Sequence, residues 1–130
     1  MIPESHRDIF ERKSFAHLAT VMPDGTPHVT PVWVGHEDGE FVLVNSARGR
    51  RKVKNVEANP NVGVSVLDPD DPYRYVSVRG EATLDDEGAV EHIDELARRY
   101  MDVEEYPNKD DEEGARVIVR ISTENVVTSG

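Results

Sequence analysis

Five of the fifteen Lys and Arg residues stand within seven positions, Arg48, Arg50, Arg51, Lys52 and Lys54, and no Asp or Glu occurs between Glu40 and Glu57. In a chain of net charge -11, that island is where an anion can dock. It follows a strand-like run over 40–46 and opens a short helical segment, whose N-terminus adds positive potential and free N–H donors. A phosphate group is the natural guest. Basic runs are also commonly a solvated helix face, and that reading stands beside the first. Nucleic acid is a poor guest, because 26 acidic residues against 15 basic ones repel a long polyanion over most of the surface.

Other chemistry finds less support. The histidines at 6, 17, 28, 36 and 92 have no metal-ligand spacing, so no metal site is expected. If a first hairpin pairs Val21 with Thr26, His17 and His28 become diagonal neighbours on one face, where packing or a cofactor-facing role outweighs metal ligation. No Ser or Thr sits in Gly-x-Ser-x-Gly or Ser-x-x-Lys surroundings, which leaves a hydrolase without a nucleophile. The acids concentrate between Asp85 and Glu113, where surface solvation explains them better than paired glycosidase carboxylates. Trp33, the sole Trp, follows Pro31-Val32; a Pro within a strand implies an edge, a bulge or a close ligand, so Trp33 either walls a flat ligand or packs in the core.

The elements that must position these residues follow from turn signals and periodicity. Pro3 starts a short helix within residues 1–13 that plugs or flanks a sheet. Residues 14–21 and 26–35 form a hairpin about Met22-Pro-Asp-Gly25, and Glu37-Asp38-Gly39 turns into a third antiparallel strand over 41–46. A basic helix follows, with Val53 and Val56 on its buried face and Arg50 and Lys54 on another. Asn59-Pro60 stops it, and 62–66 alternates as a strand. A loop over 68–72 leads to the longest strand, 73–84, then to a helix from Glu87 to Met101 capped by Asp85-Asp86. Residues 102–113 read as an acidic loop, 116–121 as a last core strand, and Val126-Val127 as an edge piece. The expectation is one domain over 1–130, mainly β with short helices, built as a six-stranded antiparallel barrel.

There is no cysteine, which removes disulfides, thiolate metal sites and a Cys nucleophile together and fits a reducing cytoplasm. No window approaches the ~20 apolar residues of a membrane span, and the N-terminus has no apolar signal-like core. We therefore expect a soluble cytoplasmic protein with no membrane partner.

In order, Pro23-Asp-Gly-Thr-Pro-His-Val-Thr-Pro-Val-Trp33, Val44-Asn-Ser46, Arg50-Arg-Lys52-Val-Lys-Asn55-Val-Glu-Ala-Asn-Pro60 and Tyr73-Arg-Tyr-Val-Ser-Val-Arg-Gly80 resemble the pyridoxamine 5'-phosphate oxidase-like superfamily of FMN-binding split β-barrels. Within it the chain is most similar to small deazaflavin-dependent oxidoreductases that use coenzyme F-420, over about residues 8 to 128. The resemblance implies a homodimer with two cofactor sites at the subunit interface. It implies Arg50 and Lys52 on the cofactor phosphate, with Arg51 beside them, and Asn45 and Ser46 where the strand end meets the phosphate and ribityl chain. Thr30, Val32 and Trp33 match the strand facing the ring, with His28 at its rim, and Lys54 could reach an acidic tail. The implied activity is hydride transfer between reduced coenzyme F-420 and an unsaturated small-molecule acceptor, so no strong acid or base motif is required. FMN in the same fold, or a non-enzymatic flavin-binding protein, are the alternatives. The short stretch after the last strand speaks against vitamin B6 oxidation.

Overall fold

The computed structural model describes residues 1–107 and 114–130. A 3-10 helix (Glu4–Glu11) precedes strands β1 (Ala16–Val21), β2 (Pro27–Val32), β3 (Gly35–Glu37) and β4 (Phe41–Ala47). Helix α1 (Arg51–Ala58), strands β5 (Asn61–Asp68) and β6 (Asp71–Asp85), helix α2 (Ala89–Met101) and strands β7 (Arg116–Ser122) and β8 (Asn125–Ser129) complete the chain. Neighbours run β2-β1-β5-β6-β7-β4-β3, with β8 also on β6. All pairings are antiparallel.

Strand β6 belongs to two sheets, and this gives the split barrel. Its residues 75–79 pair with β8 and, on the other edge, with β5; residues 82–85 pair with β7. Gly80 marks the crossing: a Cβ there would run into the Ser122 carbonyl, so the backbones of β6 and β7 can approach only at a glycine. Inward residues of β5 and β6, Val62, Val64, Val66, Val76 and Val78, join Leu18, Val42, Val44 and Ile121 in one core. The alternation apolar-in, polar-out is what a half-buried strand requires. Ile9 and Phe10 of the 3-10 helix are fully buried against that core. Arg74 fastens the same helix, binding Asp8 at 2.6 Å and Asp68 at 2.8 Å, while Arg12 binds Asp8, Asp68 and Asp70.

The expected architecture is present, with eight strands rather than six. The returning strand over 26–35 divides because Val34 leaves the first sheet: it is fully buried, and its N–H donates to the Tyr100 hydroxyl at 3.2 Å instead of to a neighbouring strand. Consequently β3 and β4 pair in the second sheet, and β2 is an edge that tolerates Pro27 and Pro31. The loop over 68–72 reduces to a tight reversal between β5 and β6, with a register shift at Leu67/Asp68. Helix α2 starts at Ala89 without a side-chain cap, because Asp86 is held by Arg48 and Asp85 by Arg120. Of the acidic loop over 102–113, residues 108–113 lie outside the described residues.

The first hairpin has a different register from the expected one. Val21 pairs with Pro27, Thr20 with His28 and Leu18 with Thr30, so His28 shares a face with Thr20, and His17 lies on the opposite face beside Pro31. Gly25 is the reason. Its left-handed φ of 88° follows a Met22–Gly25 turn closed at 2.8 Å, and Met22 N–H then reaches Thr26, which places an extra residue on the β2 side.

Candidate functional site

Strand β4 ends at Ala47 and the chain turns through Gly49 into α1, so the basic island sits at the C-terminal end of β4. Val53 and Val56 bury one face of α1, as their spacing requires. That packing sends Arg50 and Lys52 into a cleft of about 260 Å3. Strand β4 contributes Asn45 and Ser46 to the cleft, and the end of β2 contributes Pro31, Val32 and then Trp33. Helix α2 supplies Ile93 and Leu96, and Phe15, Tyr106 and Arg116 close the walls.

Part of the cleft wall is cationic. Burial pushes the Lys52 ammonium below its ordinary range, and the guanidiniums of Arg50 and Arg116 push it further the same way. A lysine in that situation gains from an arriving anion, which reverses the repulsion. The cleft also has an aromatic wall. Trp33 is half-buried and stacked on Tyr100, with Tyr106 edge-on at 6.1 Å between centroids. Tyr100 also meets Phe15 and is fixed by hydrogen bonds to the Ser14 carbonyl and from Val34 N–H. Among the described lining residues there is neither a carboxylate nor a histidine, so proton transfer would fall to Lys52, to the hydroxyls of Ser46 and Tyr106, or to a bound molecule.

Of the residues singled out by sequence, Val32, Trp33, Asn45, Ser46, Arg50 and Lys52 line this cleft together. Arg51 does not; it donates to Asn55 at 3.3 Å, and Asn55 donates in turn to Thr20. His28 and Thr30 lie on the same face of β2 as Val32 but are not among the lining residues. The His28 Nδ1 and Thr30 Oγ1 atoms are buried without a hydrogen-bond partner. Lys54 lines a separate hollow against the first hairpin, with Met22, Pro23 and Gly25. Among the described residues no group of His, Cys, Asp or Glu could hold a metal ion, and no helix is long and apolar enough to cross a membrane.

Sequence reading missed Phe15, Ile93, Leu96, Tyr106 and Arg116 as site residues. Arg116 enters because β4 and β7 pair with Ala47 opposite it, two positions from Asn45. Its Nε donates to Asn45 Oδ1 at 2.9 Å and its guanidinium lies 5.2 Å from the Tyr106 ring centre. A long-range pairing of this kind leaves no local signal. The one available hint is that an arginine opens a core strand whose next three residues, Val117, Ile118 and Val119, are apolar.

Comparison with known proteins fits this arrangement. No curated protein matches the chain by sequence. A solved structure of an F-420 reductase is 35% identical, with a TM-score of 0.83, and the match covers 97% of this chain and 98% of that one. A conserved hypothetical protein from Mycobacterium tuberculosis is 26% identical over 99% of this chain and 85% of its own, with a TM-score of 0.73. General stress protein 26 from Bacillus anthracis, 23% identical with a TM-score of 0.71 and coverage of 97% and 92%, shares the fold. The family model for pyridoxamine 5'-phosphate oxidase matches residues 2–129. The chain, a mainly antiparallel β split barrel, belongs to the pyridoxamine 5'-phosphate oxidase family.

Proposed function

We propose that this protein is an oxidoreductase that binds the deazaflavin coenzyme F-420 and transfers a hydride between its reduced form and an unsaturated small-molecule acceptor. The observation that carries the reading is the lining of the cleft: the cations Arg50, Lys52 and Arg116 together with the aromatic residues Phe15, Trp33 and Tyr106, and neither a carboxylate nor a histidine among the described lining residues. The 35% identity to an F-420 reductase favours the deazaflavin over other rings. The residues present fit such a group. Arg50 and Lys52 would hold its phosphate, Ser46 the adjoining chain, and Val32 and Trp33 the ring. Thr30 Oγ1 and His28 Nδ1, both buried and unpartnered, lie farther along that face of β2 and could take polar atoms at the ring's edge.

When bound, the cofactor supplies the hydride chemistry. The protein's part is to orient: cations fix one end, the aromatic wall excludes water, and the acceptor is held against the ring. FMN is the second reading. Three cations suffice for a phosphate monoester, and Lys54, expected to reach an acidic tail, faces another hollow.

The site belongs to a homodimer in this reading. A cleft of about 260 Å3 falls below the ~300–1,000 Å3 usual for a cofactor site, so a second copy would complete it. The outer face of β1, β2, β5 and β8 presents Val29, Leu67 and Val127, each more than 40% exposed, a surface suited to such a copy. We propose a cytoplasmic location, with which a sequence free of cysteine is compatible. Titration of cofactor-free protein with coenzyme F-420 and with FMN tests the cofactor, and turnover with conjugated acceptors tests the activity. Tight cofactor binding with no turnover would make the chain a carrier.

A further inference from the structure

We infer that Arg116 is a third anion-binding cation of the cleft, positioned by Asn45 and His92, so that the site takes a multiply charged anion. This rests on the reading of the cleft as an anion-binding cofactor site. Arg116 lines the cleft with Arg50 and Lys52 and lies near enough to Lys52 to disfavour its charge. It comes from β7, whereas Arg50 and Lys52 come from the start of α1, so the cations reach the cleft from two elements. An anion there meets charge held by both, a more directional grip than one basic helix offers.

The position of Arg116 is built, not incidental. The Asn45 side-chain amide donates one hydrogen to the Ala89 carbonyl at 2.8 Å and the other to His92 Nδ1 at 2.9 Å. The Ala89 carbonyl can only accept and the Arg116 Nε–H can only donate, and together they fix which end of the amide is nitrogen. The oxygen must then face Arg116 Nε, which donates to it at 2.9 Å. Turning the amide over would set its oxygen against a carbonyl and an imidazole lone pair while the nitrogen faced a guanidinium N–H. Burial holds His92 down to about 4, so the ring is neutral at neutral pH, and the Asn45 N–H facing Nδ1 selects the tautomer with its proton on Nε2. Tyr106 backs the guanidinium from the other side at 5.2 Å. The guanidinium is thereby aimed before any ligand arrives, which lowers the ordering cost of binding.

Binding of inorganic pyrophosphate, FMN and riboflavin to the full chain, followed through the fluorescence of Trp33, tests this. Arg116→Met should weaken pyrophosphate and FMN about ten-fold or more and leave riboflavin, which lacks the phosphate, unchanged. Asn45→Asp should do the same, since it removes both donors and neutralises Arg116. His92→Asn keeps an acceptor for Asn45 and should retain affinity, whereas His92→Leu should behave like Arg116→Met. Circular dichroism checks that each variant is folded, and the His92 pair decides the positioning if Asn45→Asp unfolds. The inference is overturned if wild type does not bind pyrophosphate, if Arg116→Met binds it as wild type does, or if FMN and riboflavin weaken equally. Equal losses in both His92 variants would overturn the positioning role. A chain that binds pyrophosphate through Arg116 but neither flavin nor coenzyme F-420 would sink the cofactor reading and leave this one standing.

Discussion

Trp33 stacks on Tyr100 with ring centres 5.1 Å apart and planes within 5° of parallel. One residue follows an edge strand and the other lies in the last turn of α2, so this contact joins helix to sheet at the wall of the cleft. The Tyr100 hydroxyl makes the joint specific, bonding both Ser14 and Val34 backbone groups. Tyr100→Phe leaves those groups short of a partner and should cost about 1–3 kcal/mol of stability, read from urea unfolding. Tyr100→Leu should in addition release Trp33 and shift its emission to longer wavelength. An unchanged spectrum in that variant would mean that the stack does not set the wall.

Lys52 and Arg51 are adjacent in the chain and should be opposite in effect. Lys52→Ala is expected to cost roughly 1.5–3 kcal/mol of cofactor binding, the value of a charge-assisted hydrogen bond. Arg51→Ala should leave the affinity near wild type, because that guanidinium is turned to Asn55. Equal losses at both positions would assign the cluster a diffuse electrostatic role.

The same lysine has a consequence for stability without ligand. Its folded pKa lies below the unfolded value of 10.5, so the unfolded chain binds more protons in the window between the two and stability rises with pH there. Lys52→Met removes a half-buried, repelled charge. The variant should have a higher urea midpoint than wild type at neutral pH, and that difference should shrink as pH rises toward 10. A midpoint lower than wild type would contradict the burial and repulsion described for Lys52.

How far the cleft could be read from sequence depends on how local its parts are. Arg50 and Lys52 were legible because charge density and helix phase are properties of a single segment, and for similar reasons Pro31 limited its strand to an edge, a bulge or a close ligand. His28 was placed on the wrong diagonal since a single left-handed glycine, Gly25, shifts the register by one residue and turns every partner over. Arg116 was invisible: it reaches Asn45 only through the β4–β7 pairing, with a helix, two strands and another helix between them in the chain. Val34 shows the same limit, as a continuous apolar run concealed the change of sheet that Tyr100 enforces.

The sharing of β6 between two sheets makes Gly80 a sensitive position outside the cleft. A methyl group there meets the Ser122 backbone carbonyl, which cannot move without disturbing β7. Gly80→Ala should destabilise by about 1–3 kcal/mol. A chemical unfolding curve overlapping that of wild type would show that β6 can cross without a glycine.

Acid should loosen the N-terminal 3-10 helix through Asp68. Hydrogen bonds from the Asp70 backbone, Arg74 and Arg12 hold its carboxyl well below the usual range of 3.8, so its contribution is complete above that value and is lost as pH falls beneath it. Asp68→Asn should lower the urea midpoint at pH 7. Its further loss between about pH 5 and pH 2.5 should be smaller than that of wild type. Parallel acid profiles for the two proteins would remove Asp68 from this account.

The most direct test of the central claim is a pair of equilibrium titrations of cofactor-free protein, with coenzyme F-420 and with FMN, at matched salt. The account predicts tight, saturable deazaflavin binding, weaker FMN binding, and loss of the former in Lys52→Ala. Tight FMN binding with weak deazaflavin binding would make this an FMN protein, and no binding of either would contradict the assignment of the cleft.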